Sequence, residues 1–276
     1  MTGDSAYWFP MKIFKKLALA ALLFTPVANG HEGEAKAKKD DSRIKVLCYS
    51  NTAYYRHPEI PALNRFLVLL GDKHGIDVDI TEHFKDLRPK ELSQYDVLLL
   101  NNANQLTDVI PEAQRKSVEE WFKKGGGIVG IHAALVKNEK WEWLTKLGGC
   151  DFDSDSEFLP AKVLVDPANK DHPAVAGAPA EFTYTADWTN HTRSVTGLPN
   201  FKVLMRVDES SYVPVRDYFQ QRGGKAMGKD HPICWTNEPP GEGRFFYTEL
   251  GHDVRSLDTE FGRKHLIGAI KWAAKK

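Results

Sequence analysis

Residues 125–134 read Gly-Gly-Gly-Ile-Val-Gly-Ile-His-Ala-Ala, and this stretch decides how the rest of the chain is interpreted. The apolar run 128–131 follows a helix-like segment and three glycines, a pattern typical of a short, fully buried strand. His132 then falls where that strand ends, and the small residues around it permit a sharp turn. Open α/β sheets bind ligands at the carboxyl ends of their strands. We therefore predict that His132 lies in a functional site; the alternative is a buried histidine hydrogen-bonded within the turn.

The segments around this strand predict a doubly wound, mostly parallel sheet with helices on both faces. The order is strand, helix, strand, strand, helix, strand, at 44–50, 59–74, 76–80, 95–100, 113–124 and 128–131. Beyond residue 144, short β-like runs predict a β-rich insertion or sheet extension at 161–165, 181–185, 202–207 and 232–236. A buried strand at 243–248 and an amphipathic helix at 257–274 close the chain.

Composition and charge limit the classes of partner. The 276 residues are 42% hydrophobic and 27% charged, which is ordinary for a globular protein with a substantial core. Lysine plus arginine equals aspartate plus glutamate at 37 each, so no basic stripe predicts a nucleic-acid partner. The three cysteines, Cys48, Cys150 and Cys234, allow one disulfide at most.

The first thirty residues are predicted to be a signal for export and not part of the folded domain. A positively charged segment, 11–16, precedes a short apolar segment, 17–24, and small residues then suit cleavage between Gly30 and His31. Because this signal begins best at Met11, residues 1–10 are interpreted as an over-extended start. The apolar run is too short to span a bilayer. We expect a periplasmic protein in which 31–42 is a flexible tether and 43–276 is a single domain.

Three loops follow predicted parallel strands and carry polar side chains. Their members are Tyr54, Tyr55, Arg56 and His57 in the first, His132 in the second, and Glu249, His252 and Asp253 in the third. In a doubly wound sheet such loops meet over one crevice. A histidine beside a carboxylate is an acid/base unit, because the carboxylate fixes the tautomer of the ring. The alternatives are a hydrogen-bonded turn at His252-Asp253 and a capping cluster at Arg56-His57.

Three motifs resemble the ThuA-like (trehalose utilisation) family. They are Gly-Gly-Ile-Val-Gly-Ile-His-Ala at 126–133, Asp-His-Pro at 171–173 and Gly-Arg-Phe-Phe-Tyr-Thr-Glu-Leu-Gly-His-Asp at 243–253. The resemblance covers roughly residue 44 to the C-terminus, and it implies the fold of class I glutamine amidotransferases, which is flavodoxin-like. In those enzymes a cysteine occupies the elbow after the central strand. Because His132 stands there in this chain, a cysteine-dependent amidotransferase lacks its nucleophile.

The resemblance implies a role in the catabolism of trehalose-like disaccharides and their 3-keto derivatives. Aromatic faces suit the C–H faces of a pyranose ring. We expect one or two of five aromatic residues near the predicted loops to touch such a ligand: Trp141, Trp143, Tyr184, Trp188 and Tyr212. Where the family often has an acidic segment after the His-Pro motif, this chain has Asp187 as the counterpart.

These observations predict an enzyme, a hydrolase, lyase or isomerase, that acts on a small carbohydrate. His132 is expected to be the general base or a ligand, and His252 its partner, oriented by Asp253 or Glu249. The expected substrate-binding residues are Tyr55, Arg56, His57, Asp187, Trp188 and His191. One alternative is a non-catalytic sugar-binding protein on an amidotransferase-like scaffold, and another is a scaffold that acts through protein contacts.

A divalent metal is the one cofactor that the residues suggest. Enough imidazole and carboxylate groups for zinc or a similar ion are supplied by His57, His132, His191, His252, Asp187 and Asp253. The leading candidate ligands are His57, His132 and His252, although no compact motif such as His-Glu-x-x-His brings them together. The acidic run 151–157 has the alternating carboxylates of a calcium loop but lacks the glycine turn and the late glutamate. It is therefore predicted to be a solvated loop.

Overall fold

The computed structural model of the protein describes residues 42–276, so the predicted signal peptide and nearly all of the predicted tether lie outside the described residues. The strands are β1 (Ile44–Tyr49), β2 (Ile76–Thr81), β3 (Val97–Asn101), β4 (Gly127–Ile131), β5 (Phe152–Asp155), β6 (Leu159–Val165), β7 (Glu181–Ala186), β8 (Thr189–His191), β9 (Phe201–Asp208), β10 (Pro232–Asn237) and β11 (Phe245–Thr248). The α-helices are α1 (Ile60–Asp72), α2 (Pro89–Leu92), α3 (Glu112–Lys123), α4 (Glu142–Gly148), α5 (Asp217–Gln220) and α6 (Glu260–Ala273).

Nine of these strands form one sheet in the order β2-β1-β3-β4-β11-β10-β9-β6-β7. The first five strands run parallel to one another, and each later pair is antiparallel. The parallel half has the flavodoxin-like order, in which the chain reverses direction across the sheet between β1 and β3. The predicted fold class is thus confirmed, and the predicted β-rich segment is an antiparallel extension of the same sheet.

Alternating side chains of the central strands bury both faces of the sheet. Val46 and Cys48 face a core that includes residues of α1 and α6, whereas Leu47 and Tyr49 face a core that includes residues of α3 and α4. Strands buried on both faces consist of continuous apolar runs, which is why β1, β3 and β4 could be located from the sequence. Helices therefore cover both faces, as predicted.

The sequence did not predict every element. β5 and β8 pair with each other in a separate two-stranded sheet. β5 occupies most of the acidic run 151–157, so the prediction of a solvated loop there is wrong. Asp155, at the end of this strand, is only 8% exposed.

The structure shows the state of the three cysteines and whether any helix could span a membrane. Cys48, Cys150 and Cys234 are all buried free thiols, so the one disulfide that the sequence allowed does not form among them. Within residues 42–276, no helix is both long enough and apolar enough to cross a bilayer.

The close approach of α6 to the sheet depends on Gly127. A Cβ atom at this position would lie 2.4 Å from the carbonyl oxygen of Ala273, near the end of α6. That separation is far below van der Waals contact, and a backbone atom cannot rotate away as a side chain can. Gly127, the first residue of β4, therefore allows the final helix to pack directly on the central strand.

Replacing Gly127 by alanine should destabilise the protein by about 3 kcal/mol, the upper end of the usual cost of overpacking, because α6 must move off the sheet. Gly75→Ala is the matched control: Gly75 has φ +73°, but its added Cβ would meet no atom within 4 Å. The control should lose only the cost of a left-handed alanine, about 1–2 kcal/mol. Urea unfolding of both variants measures the difference, and equal losses would contradict the packing argument.

Candidate functional site

His132 lies on a strained elbow at the carboxyl end of β4. Its φ is +48°, in the left-handed region that glycine prefers, and such a residue costs about 1–3 kcal/mol. The hydroxyl of Tyr247 donates a hydrogen bond to the His132 carbonyl oxygen at 2.7 Å and helps hold this conformation. The side chain is buried. A strained, buried histidine at a strand end agrees with the predicted position of the site.

Both ring nitrogens of His132 face carboxylates. Nδ1 is 3.4 Å from Oε1 of Glu249, and Nε2 is 3.6 Å from Oδ2 of Asp187. Burial alone would lower the pKa of His132, but the charges of Asp187 and Glu249 outweigh it and raise the pKa to about 9. The ring is therefore enclosed by negative charge on two sides.

His252 lies beside His132 but is paired with a different carboxylate from the one predicted. Its Nδ1 is 3.1 Å from Nε2 of His132 and 2.9 Å from Oδ2 of Asp187. The carboxylate of Asp253 instead accepts hydrogen bonds from the backbone and the guanidinium of Arg255. The prediction that Asp253 or Glu249 orients His252 is thus corrected, since Asp187 occupies that place.

Glu249 is a fully buried carboxylate beneath the elbow. Its Oε2 accepts a hydrogen bond from Tyr247 at 3.1 Å and lies 3.4 Å from Nε2 of His191. Burial raises the pKa of Glu249, but its contacts with His132 and His191 outweigh that effect and hold the pKa below its usual range. Glu249 and His191 therefore lie behind His132 and form its support.

His57 completes a cluster of three imidazoles. Its ring packs edge-to-face against those of His132 and His252, with centroids 5.0 and 4.9 Å away. Burial, with the charges of His132 and His252 acting in the same direction, lowers the pKa of His57 to about 2, so this ring is neutral. One nitrogen from each of the three histidines lies within 4.8 Å of the others. The predicted metal candidates are thus close enough together to share an ion.

A cavity of about 560 Å³ opens above this cluster. Three tyrosines at its mouth, Tyr54, Tyr55 and Tyr218, are each about half exposed. The remaining residues that line it are His57, Asn104, His132, Ala133, Val136, Phe152, Asp155, Glu157, Thr189, Arg216, Phe219 and His252. The cavity therefore combines a polar floor with an aromatic entrance.

Several residues predicted to bind substrate do not line this cavity. Trp188 is completely buried in the core, where its indole nitrogen donates to the carbonyl of Leu159, and the other four aromatics predicted with it also lie off the cavity wall. Arg56 forms an ion pair with Glu82 at 2.6 Å on the surface. His191 contacts Glu249 rather than the cavity. Of the predicted set, Tyr55 and His57 line the cavity, and Asp187 contacts the cluster.

Comparison with known proteins assigns the family. The ThuA family, described as trehalose utilisation, matches residues 45–273. The chain belongs to the ThuA family. A comparison with curated proteins found no match.

The chain is also similar to solved structures, two of which are described as ThuA-like. A putative ThuA-like protein from Bacteroides uniformis is 27% identical with a TM-score of 0.70, over 84% of this chain and 91% of that chain. A putative ThuA-like protein from Parabacteroides merdae is 19% identical with a TM-score of 0.60, over 84% of this chain and 90% of that chain. PurLQS from Thermotoga maritima is 14% identical with a TM-score of 0.48, over 83% of this chain and 99% of that chain.

Asparagines after β3 position two loops of the ThuA-family site, and the sequence reasoning missed them. The side chain of Asn104 accepts hydrogen bonds from the backbone of Tyr54 and Tyr55 and donates to the carbonyl of Tyr55. Asn102 donates to the carbonyl of Gly251 at 3.0 Å, next to His252. Three asparagines within four residues at the end of a predicted buried strand were the available signal.

Asp155 and Arg216 form a second group that the sequence reasoning missed. The two side chains pair on the cavity wall, and burial raises the pKa of Asp155 to about 7 although Arg216 opposes this. No local pattern links residues 61 positions apart in the chain. The separate β5–β8 pair and the segment between β9 and β10 therefore supply wall residues that the motifs did not reveal.

Tyr247→Phe should lower the free energy of unfolding by about 1–3 kcal/mol, because the His132 carbonyl and the Glu249 carboxylate lose their buried donor. It should also shift the histidine ring resonances of the site in NMR spectra. Tyr184→Phe is the control, since its hydroxyl bonds Ser256 and Thr259 elsewhere. Unchanged ring resonances in Tyr247→Phe would mean that the tyrosine does not position the site.

Proposed function

We propose that this ThuA-family protein is an exported carbohydrate-active enzyme that acts on a glycoside or disaccharide in its 3-keto form by proton transfer. One observation carries the proposal: a buried cluster of histidines and carboxylates forms the floor of a cavity with an aromatic mouth. The family's description as trehalose utilisation supports a sugar as the substrate. The charged and apolar segments at 11–24 support export.

The cavity suits a small carbohydrate in size and lining. Its volume of about 560 Å³ lies within the range typical of small-molecule sites. The half-exposed faces of Tyr54, Tyr55 and Tyr218 offer apolar surfaces for the C–H faces of a sugar ring. Asn104, Asp155 and Arg216 offer hydrogen-bonding groups for its hydroxyls.

The chemistry follows from where protons can move. A carbonyl at C3 of a sugar acidifies the proton at C2, because the electrons left behind delocalise onto the carbonyl oxygen. His252 is placed to accept that proton, since its side chain is 31% exposed on the cavity and Asp187 lies against its Nδ1. The electron pair then forms the C1–C2 double bond while the C1–O bond breaks, and the departing oxygen takes the proton from His252. Return of the proton without bond cleavage would give isomerisation instead.

Two features favour catalysis over simple sugar binding. The elbow at His132 holds a strained backbone conformation, and strain of this kind concentrates at active sites. Oδ1 of the buried Asp187 carboxylate has no partner, and Oδ2 has only its ion-pair contacts with His252 and His132, whereas a stable binding site would normally satisfy both oxygens. A non-catalytic sugar-binding protein remains the second candidate, and it predicts saturable binding of unchanged sugar.

The proposal is tested by NMR of the mature protein incubated with a 3-keto-glucoside and, in parallel, with the unoxidised glucoside. Only the keto form should be converted. His252→Ala should slow conversion by at least about 100-fold, the usual contribution of a positioned acid/base group. His132→Asn should abolish it, and asparagine is chosen because it tolerates the left-handed backbone.

His74→Ala is the control for both variants, because His74 is exposed and lies on the loop after α1. It should turn over the keto-sugar at the wild-type rate. Near-wild-type turnover in His132→Asn would overturn the proposed centre of the mechanism. Broadening of ligand resonances without conversion would assign the protein to the sugar-binding class.

Removal of an aromatic side chain at the mouth should weaken substrate binding without loss of stability. Tyr218→Ala is expected to raise KM about tenfold, which corresponds to about 1.4 kcal/mol. Trp188→Phe is the matched control, because Trp188 is buried in the core away from the cavity: it should lower the melting temperature but leave KM unchanged. An unchanged KM in Tyr218→Ala together with a raised KM in Trp188→Phe would mean that the sugar binds elsewhere.

A further inference from the structure

We infer that His57, His132 and His252, together with Asp187, bind one divalent transition-metal ion at the floor of the cavity. This inference extends the proposed function. Only the role of the ion in turnover rests on that function. Binding itself is a property of the protein without sugar, so the two proposals can fail separately.

The spacing of the ligand atoms is close to that of a metal site. Nε2 of His132 and Nδ1 of His252 are 3.1 Å apart, and the third imidazole offers a nitrogen within 4.8 Å of both. Zinc–nitrogen bonds of about 2.0 Å place two nitrogens on one tetrahedral ion about 3.3 Å apart. A small inward shift of His57 therefore completes a three-nitrogen site.

Buried polar atoms around the cluster lack partners. Nδ1 of His57 and Oδ1 of Asp187 are buried without a partner, Oδ2 of Asp187 has only ion-pair contacts with two histidines, and Asp187 is only 4% exposed. Leaving such groups unsatisfied costs about 1–3 kcal/mol each, and more where they are charged. Oδ2 of Asp187 lies 2.9 Å from Nδ1 of His252 and 3.6 Å from Nε2 of His132, so it points to the same place as the imidazoles. A cation there would satisfy these atoms together.

The surroundings of His132 match those of a metal-bound histidine. When Nε2 faces the ion, Nδ1 faces the buried Oε1 of Glu249 at 3.4 Å. Histidine ligands commonly direct their second nitrogen to a carboxylate, which fixes the tautomer and strengthens the ligand. Tyr247 and His191 in turn hold Glu249 in position. Glu249 is thus a positioning residue behind the metal rather than a ligand.

The ligand set also limits which ion can bind. Three imidazole nitrogens and one carboxylate suit zinc and its transition-metal neighbours, whereas calcium and magnesium prefer oxygen ligands. All three histidines line the cavity, so one side of the ion would face the substrate. If the ion took a fifth ligand on that side, it would polarise a carbonyl oxygen or lower the pKa of a bound water to about 7. His252 accepts the C2 proton in the metal-free mechanism proposed above. As a metal ligand through Nδ1 it could not do so, and in the metal-loaded protein the bound water would accept that proton instead.

The test is metal binding by tag-free mature protein that has been stripped with a chelator and dialysed. Titration calorimetry with Zn²⁺ should give one site per chain with a Kd below about 1 μM. A Co²⁺-loaded sample should show the intense visible absorption of a four- or five-coordinate ion. His252→Ala should weaken Zn²⁺ binding at least about 100-fold, and its partly exposed side chain makes it a variant that should fold. Glu249→Gln should weaken it about 10- to 100-fold.

His74→Ala is again the control, because it removes an exposed histidine and should leave affinity unchanged. Equal Zn²⁺ affinity in wild type and His252→Ala, with both folded by circular dichroism, would overturn the metal site. Metal bound at the expected affinity without conversion of the keto-sugar would retain the site and reject the proposed function. Conversion by chelator-stripped protein at the full rate would reject the metal's role and retain the proposed function.

Discussion

The site depends on a carboxylate with no exposed surface. Glu249 follows β11 at the centre of the sheet, and an isolated charge there would be prohibitively costly to bury. It is tolerated because His132, His191 and the Tyr247 hydroxyl surround it. The same contacts fix the ring of His132, whose other nitrogen then faces the cavity side. One buried charge therefore holds both the elbow and the floor above it.

The parallel half of the fold could be predicted from the sequence because its signals are local. β1, β3 and β4 are continuous apolar runs, and the glycines before β4 mark where the strand begins. The positions of His57, His132 and His252 followed from one rule, that loops at the carboxyl ends of parallel strands converge. Their physical proximity is a consequence of topology rather than of any motif.

The remaining part of the site could not be predicted because it depends on long-range pairing. Asp187 reaches the histidines through the antiparallel half of the sheet, and Asp155 meets Arg216 across 61 positions of sequence. Trp188 is the kind of aromatic residue that often stacks on sugars, yet in the short connection between β7 and β8 Asp187 contacts the histidines while Trp188 is buried in the core. Which of two adjacent residues in such a connection faces the site depends on long-range packing, and the local sequence does not reveal it.

The division of the site between the two halves of the sheet has an evolutionary consequence. The three histidines lie on loops of the parallel strands, which pack between two hydrophobic cores. Asp155 comes from β5, and Arg216 and Tyr218 come from the start of α5. Selection can therefore replace the outer wall without disturbing the histidine floor. Relatives that share this floor could diverge in the sugars that they accept while retaining the same chemistry.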